Sequence, residues 1–141
     1  SYKPVYGTSN FNFIISEYSI SGNAKLGDKI YSKLANASQS NDLDPETKNI
    51  YILINVYKTK SPTNKNSAGK ILGYKINLNI NFFVKNFDTG NEILNENFSL
   101  NSSYSTQDQI FETKQLEEKS INELINRISQ ILLIKLSENT L

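Results

Sequence analysis

An α/β (α+β) two-layer sandwich, a four-stranded mixed sheet with two helices on one face, is the fold this sequence predicts, on three observations. Residues 68–86 alternate apolar and polar side chains over a length only a strand explains. Segments rich in β-branched and aromatic residues flank that stretch, and two amphipathic segments supply apolar stripes that need a sheet to cover. The order read along the chain is β-α-β-β-β-α.

The first strand is FNFIISEYSI at 11–20. In the segment that follows, Leu26, Ile30 and Leu34 recur at helical spacing, which predicts an amphipathic helix. A crossover helix returns the chain parallel to its starting strand, so strand 11–20 is expected beside strand 49–60, NIYILINVYKTK. SPTNKNSAG at 61–69 reads as a loop by composition. In the alternating strand, Leu72, Tyr74, Ile76, Leu78, Ile80, Phe82 and Val84 form one face, with Lys75, Asn77, Asn79, Asn81 and Lys85 between them. FDTGN at 87–91 is a turn, after which Leu94, Phe98 and Leu100 alternate with asparagines on a returning antiparallel strand. Residues 107–138 form one long amphipathic helix whose STQDQIFE start carries cap residues and acids. With the helices on one face, the other face of the sheet is expected to present Asn, Lys and Tyr, and so to meet water or a polar partner.

Length and composition narrow the function. A chain of 141 residues fits a single domain, here 11–141, able to bury roughly two thirds of the surface it exposes when unfolded. No apolar run reaches the length of a membrane-spanning helix. The absence of methionine is read as the mark of a processed chain whose upstream targeting or anchor segment has been removed. There is no cysteine and no histidine, so Ser-His and Cys-His nucleophile pairs and histidine metal sites are excluded. The acidic cluster Asp42, Asp44 and Glu46 lacks EF-hand spacing, and Asp44 before Pro45 is an ordinary turn start, so no metal is expected. No phosphate-cradling glycine loop is present and the remaining acids lie on a solvated helix face, so no catalytic residues and no cofactor are assigned.

Net charge is +1, which gives no reason to expect nucleic acid as a partner, but the charges are segregated. Between Lys48 and Phe87 there are seven lysines and no acid, whereas Asp88 to Glu123 carries eight acids and two lysines. Lys58, Lys60, Lys65 and Lys70 are expected to converge at one end of the sheet, as point charges for a phosphorylated or carboxylated ligand. The alternative is that strand-end lysines guard against edge-to-edge aggregation. Tyr74 and Phe82 alternate with the core face, which places them in packing and not on a base-stacking platform.

The front of the chain, SYKPVYG, adds a resemblance. With Ser1 at a small residue, then Tyr2, Pro4, Tyr6 and Gly7, it is similar to the mature N-terminus Cys-Gly-Phe-x-Pro-x-Tyr-Gly of the lipopolysaccharide-assembly lipoprotein (LptE-like) family, and the element order, the SSYST segment with Tyr104 and the closing helix after Phe111 extend the likeness. The resemblance implies that residues 1–10 are a tether following a removed lipidated cysteine. It further implies a non-catalytic protein held by its lipid anchor on the periplasmic face of the outer membrane. There it would plug an LptD-type β-barrel and assist lipopolysaccharide assembly, with Lys65, Lys70 and Lys114 nearest to the family's basic positions. An auxiliary periplasmic lipoprotein of an ABC-type lipid transporter is the second reading, and a hydrolase with a carboxylate site the third.

Overall fold

The structure, a computed structural model, describes residues 12–38 and 47–140. Tyr2, Pro4, Tyr6, Gly7 and the Asp42–Glu46 cluster lie outside the described residues. Six elements follow in the expected order: β1 Phe13–Gly22, α1 Ala24–Ala37, β2 Lys48–Lys65, β3 Ile71–Asn86, β4 Glu92–Ser105 and α2 Ile110–Asn139. The strands lie in the sheet in sequence order, with β1 parallel to β2 and the two later pairs antiparallel.

Alternation decides which face is buried. Ile50, Ile52, Ile54 and Val56 of β2, and Ile76, Leu78, Ile80, Phe82 and Val84 of β3, point at the helices and are essentially inaccessible. They meet Leu26, Ile30 and Leu34 of α1 and Leu124, Ile125, Ile128, Leu132 and Leu136 of α2. In β1 a register shift between Ile15 and Glu17 resets the alternation, so that Tyr18 faces the helical layer and stacks on Tyr31 of α1, ring centroids 3.7 Å apart.

The β1–α1 junction shows why the crossover is tight. Asn23 caps α1 by accepting a hydrogen bond from the Leu26 amide, 3.1 Å, while its own N–H donates to the Val56 carbonyl, 2.8 Å. Gly22 before it has φ +82°, and a Cβ there would stand 2.2 Å from the Val56 carbonyl oxygen, so only glycine fits.

The strand 49–60 expected from sequence runs on to Lys65, and residues 61–65 are strand, not loop. Their partners are Ile71, Gly73, Tyr74 and Lys75 of β3, with register shifts on either side of Asn64. β1 ends opposite Val56, so this half of β2 is a free edge, where Pro62 is tolerated. The turn is reduced to residues 66–70, closed by the Asn66 side chain accepting from the amides of Ala68 and Lys70. At the other hairpin Asn86 accepts from Asp88 and Thr89 in the same manner.

The open face is as polar as its sequence suggests. Asn55, Asn81 and Asn97 form one rung across three strands, and Tyr57, Asn79 and Ser99 the next. The Asn81 amide donates to Asn97 Oδ1 at 2.7 Å and the Ser99 hydroxyl donates to Asn79 Oδ1. Lys85 lies over the Tyr51 ring, 5.1 Å from its centroid.

Candidate functional site

The lysines of the basic stretch do not converge on one point. Because β2 stays extended to Lys65, Lys58 and Lys65 are separated by roughly 20 Å along the strand. Lys58 and Lys60 stand on the helical side of β2, and Lys65 and Lys70 at the hairpin tip.

Lys60 belongs to the first group. Its register partner Ile76 is a core residue, which puts the Lys60 side chain on the helical side, where Nζ reaches Glu117 Oε1 of α2 at 2.9 Å. The same ammonium lies 4.5 Å from the Tyr74 ring centroid and 6.0 Å from that of Tyr104. The Tyr104 hydroxyl also donates to Glu117 Oε1, 3.0 Å. Partial burial pushes the Glu117 carboxyl up, but hydrogen bonds from Lys60 and Tyr104 and the charges of Lys60 and Lys58 outweigh it, leaving its pKa below the ordinary value. Lys60 is raised, chiefly by its hydrogen bond to Glu117 against a smaller desolvation cost. Tyr104 is raised, first by burial. Lys60 therefore joins the β2–β3 hairpin to α2, engaged by Glu117 where the sequence suggested an unpaired charge. Lys58, also on the helical side, lines a small groove with Lys25, Lys29, Glu118 and Asn122 beside the start of α1.

A pH prediction follows from these directions. A carboxylate whose folded pKa is depressed contributes stability that is complete above its unfolded pKa and lost as pH falls through the folded value. Thermal melts should thus lose stability in acid below about pH 4.5, and Glu117→Gln should flatten that limb. Above about pH 10 the raised Lys60 and Tyr104 give the opposite slope, with stability falling as they deprotonate. An acid limb identical in parent and Glu117→Gln would show that the triad contributes nothing to it.

The second group is the tip. Lys65 and Lys70 flank the Asn66 turn, whose N–H donates to the Lys70 carbonyl at 2.9 Å. Thr106 ties the end of β4 to the same pole, its N–H donating to the Leu72 carbonyl, 3.0 Å, and its hydroxyl to the Ile71 carbonyl, 3.1 Å. α2 starts here, so Lys114 in its second turn joins Lys65 and Lys70 at one end of the molecule. The ion pairs among the described residues are Lys60–Glu117 and Lys135–Glu96, and none of these three lysines takes part in them.

The tip also has an apolar component that the sequence pattern hid. Ile110 is 80% exposed, Phe111 67% and Leu72 37%. Ile110 lies seven residues before Glu117, which already reaches Tyr104 next to the end of β4, so the first turns of α2 run about 10 Å beyond that contact and past the end of β4. Leu72, assigned to the buried face from its alternation, lies at the same end. The helix start differs from expectation too: its N-cap is Gln109 with no side-chain cap bond, and Thr113 Oγ1 accepts instead from the Gln107 N–H, 2.7 Å. Among the described residues no group of three acids, cysteines or histidines is placed to hold a metal, and no helix is long and apolar enough to cross a membrane.

No protein-family model matches the chain, and no curated protein matches it in sequence. Solved structures do match it in shape. Rare lipoprotein B from Shewanella oneidensis superposes with a TM-score of 0.61 at 13% identity, covering 87% of this chain and 95% of its own. An uncharacterized lipoprotein B from Nitrosomonas europaea gives 0.61 at 12% identity, over 94% and 88% of the two chains. A minor lipoprotein from Acinetobacter baumannii gives 0.55 at 20% identity, over 90% and 94%. The chain is similar in fold to these proteins over nearly the whole length of each.

Proposed function

We propose that this chain is the folded part of a lipid-anchored, non-catalytic outer-membrane lipoprotein that plugs an LptD-type β-barrel and engages lipopolysaccharide during its assembly at the outer membrane. The observation that carries the reading is the tip, where Lys65, Lys70 and Lys114, outside the ion pairs of the described residues, share one pole with exposed Leu72, Ile110 and Phe111. That pairing of cationic and apolar groups matches an amphiphile with an anionic headgroup. Two further observations support it. The open sheet face, uncharged over its asparagine rungs, suits the polar lumen of a large barrel. The proteins it resembles in fold are named lipoproteins, and the N-terminal Tyr2-x-Pro4-x-Tyr6-Gly7 pattern fits the stretch that follows a lipidated cysteine.

The polarity of the fold suits an anchor at one end and a ligand at the other. β1 begins opposite Lys48, so the described domain starts at the pole away from the tip, roughly 55 Å along β2. The test is co-purification of the full-length lipidated protein from native outer membranes, with mass spectrometry of what accompanies it. A stoichiometric β-barrel is the expected result. Recovery of inner-membrane transporter subunits would move the protein to the auxiliary role in an ABC-type lipid transporter, and recovery of the protein alone would overturn the plug.

A further inference from the structure

The three free edges of the sheet are treated differently. β1 carries its register shift between Ile15 and Glu17, and the outer half of β2 carries Lys58, Lys60, Pro62, Lys65 and two further shifts. Lysines, proline and bulges are the devices that stop one sheet edge from pairing with another. β4 has none of them over most of its length. From Gly73↔Ser105 to Val84↔Leu94 its register with β3 is unbroken, and Asn97–Ser105 contains no charged residue and no proline. Among the described residues no other strand pairs with it. At the Ser102–Ser105 end a groove lined also by Leu116, Ser120 and Glu123 lies between β4 and α2, and Asn97, Ser99 and Asn101 are exposed.

The edge is complementary to itself. Antiparallel pairing with a second copy about a two-fold axis at Ser99 sets Ser99 opposite Ser99 and Asn97 opposite Asn101 on the open face. On the helical face the same register sets Phe98 opposite Leu100 and Leu94 opposite Tyr104, while Glu96 meets Ser102. Polar residues meet polar ones, apolar meet apolar, and no two like charges face each other. Phe98 and Leu100 are only half-buried in the single chain, so the pairing also removes apolar surface from water.

We propose that β4 is a self-association edge, through which two copies of this chain join as a two-fold dimer with one continuous eight-stranded sheet centred on Ser99. This association is independent of the function proposed above. The decisive residue is Ser99 itself, exposed and on the axis, where any charge introduced meets its own copy. Sedimentation velocity of the chain from about 1 to 500 µM should show a concentration-dependent monomer–dimer equilibrium. Ser99→Lys and Ser99→Glu should each weaken it by roughly fivefold, and an equimolar mixture of the two should restore it. Thermal melts of both variants check that each copy stays folded. A parent that stays monomeric throughout overturns the proposal. So does a dimer indifferent to both substitutions, which would place the contact elsewhere.

Discussion

Phe82→Ala should cost about 3–5 kcal/mol of folding stability, the largest effect expected of any single truncation in the sheet. Phe82 is fully buried, sits on the helical face of the central strand β3, and is opposite Ile54 of β2 in the register. The loss combines the transfer of a large aromatic side chain with the cavity left behind, because strands hydrogen-bonded on both sides of β3 cannot close around it. For a domain with a total stability of about 5–15 kcal/mol this is a large share, and the midpoint should fall by roughly 10–20 °C. Urea denaturation would show it as a lower midpoint at unchanged slope. A loss below about 1 kcal/mol would mean that the helices do not seal this face in solution.

The second large effect concerns binding. Reversing the tip charges with Lys65→Glu, Lys70→Glu and Lys114→Glu should weaken binding to lipopolysaccharide micelles by about 100-fold at low ionic strength, on the basis of ~1 kcal/mol per basic residue near an anionic surface. The loss should shrink as salt is raised, since these exposed charges act through a screened field. Ile110→Ser with Phe111→Ser should weaken binding to a similar extent without that salt dependence, because it removes exposed apolar area that the micelle would cover. Both sets lie at exposed positions, so melting temperatures should change little. If the lysine variant binds as the parent does, the tip is not the ligand site and its lysines only guard the hairpin edge. Lys60→Met serves as a contrast: it should lower stability through the lost contact with Glu117 while leaving micelle affinity intact.

Most of the fold was legible because strand periodicity leaves few alternatives. Leu78, Ile80, Phe82 and Val84 cannot occupy a helix stripe, and the amphipathic segment before Lys48 demanded a crossover and hence a parallel pair. The extension of β2 through Ser61–Lys65 was not legible, since its residues favour loops and only the register with β3 makes them a strand. The tip was half legible. Its lysines announced themselves by isolation from acids, but sequence spacing could not say that Lys60 is occupied by Glu117 on a distant element. Nor could it say that Ile110 and Phe111, at the start of α2, stay exposed.

The parallel pairing of β1 with β2 also sets an order of assembly. β2, β3 and β4 meet through short turns and can zip up within microseconds of hairpin closure, whereas β1 finds Lys48–Val56 only after α1 has folded across. β1 precedes the other elements in the chain and so emerges first in synthesis, yet it is expected to dock after the β2–β4 meander has formed. During that interval FIISEYSI, one of the most β-prone segments of the chain, has to wait for its place in the sheet. The step most exposed to misassembly is therefore the docking of β1, and mutations that slow α1, such as loss of its Asn23 cap, should lengthen it before they change the finished structure.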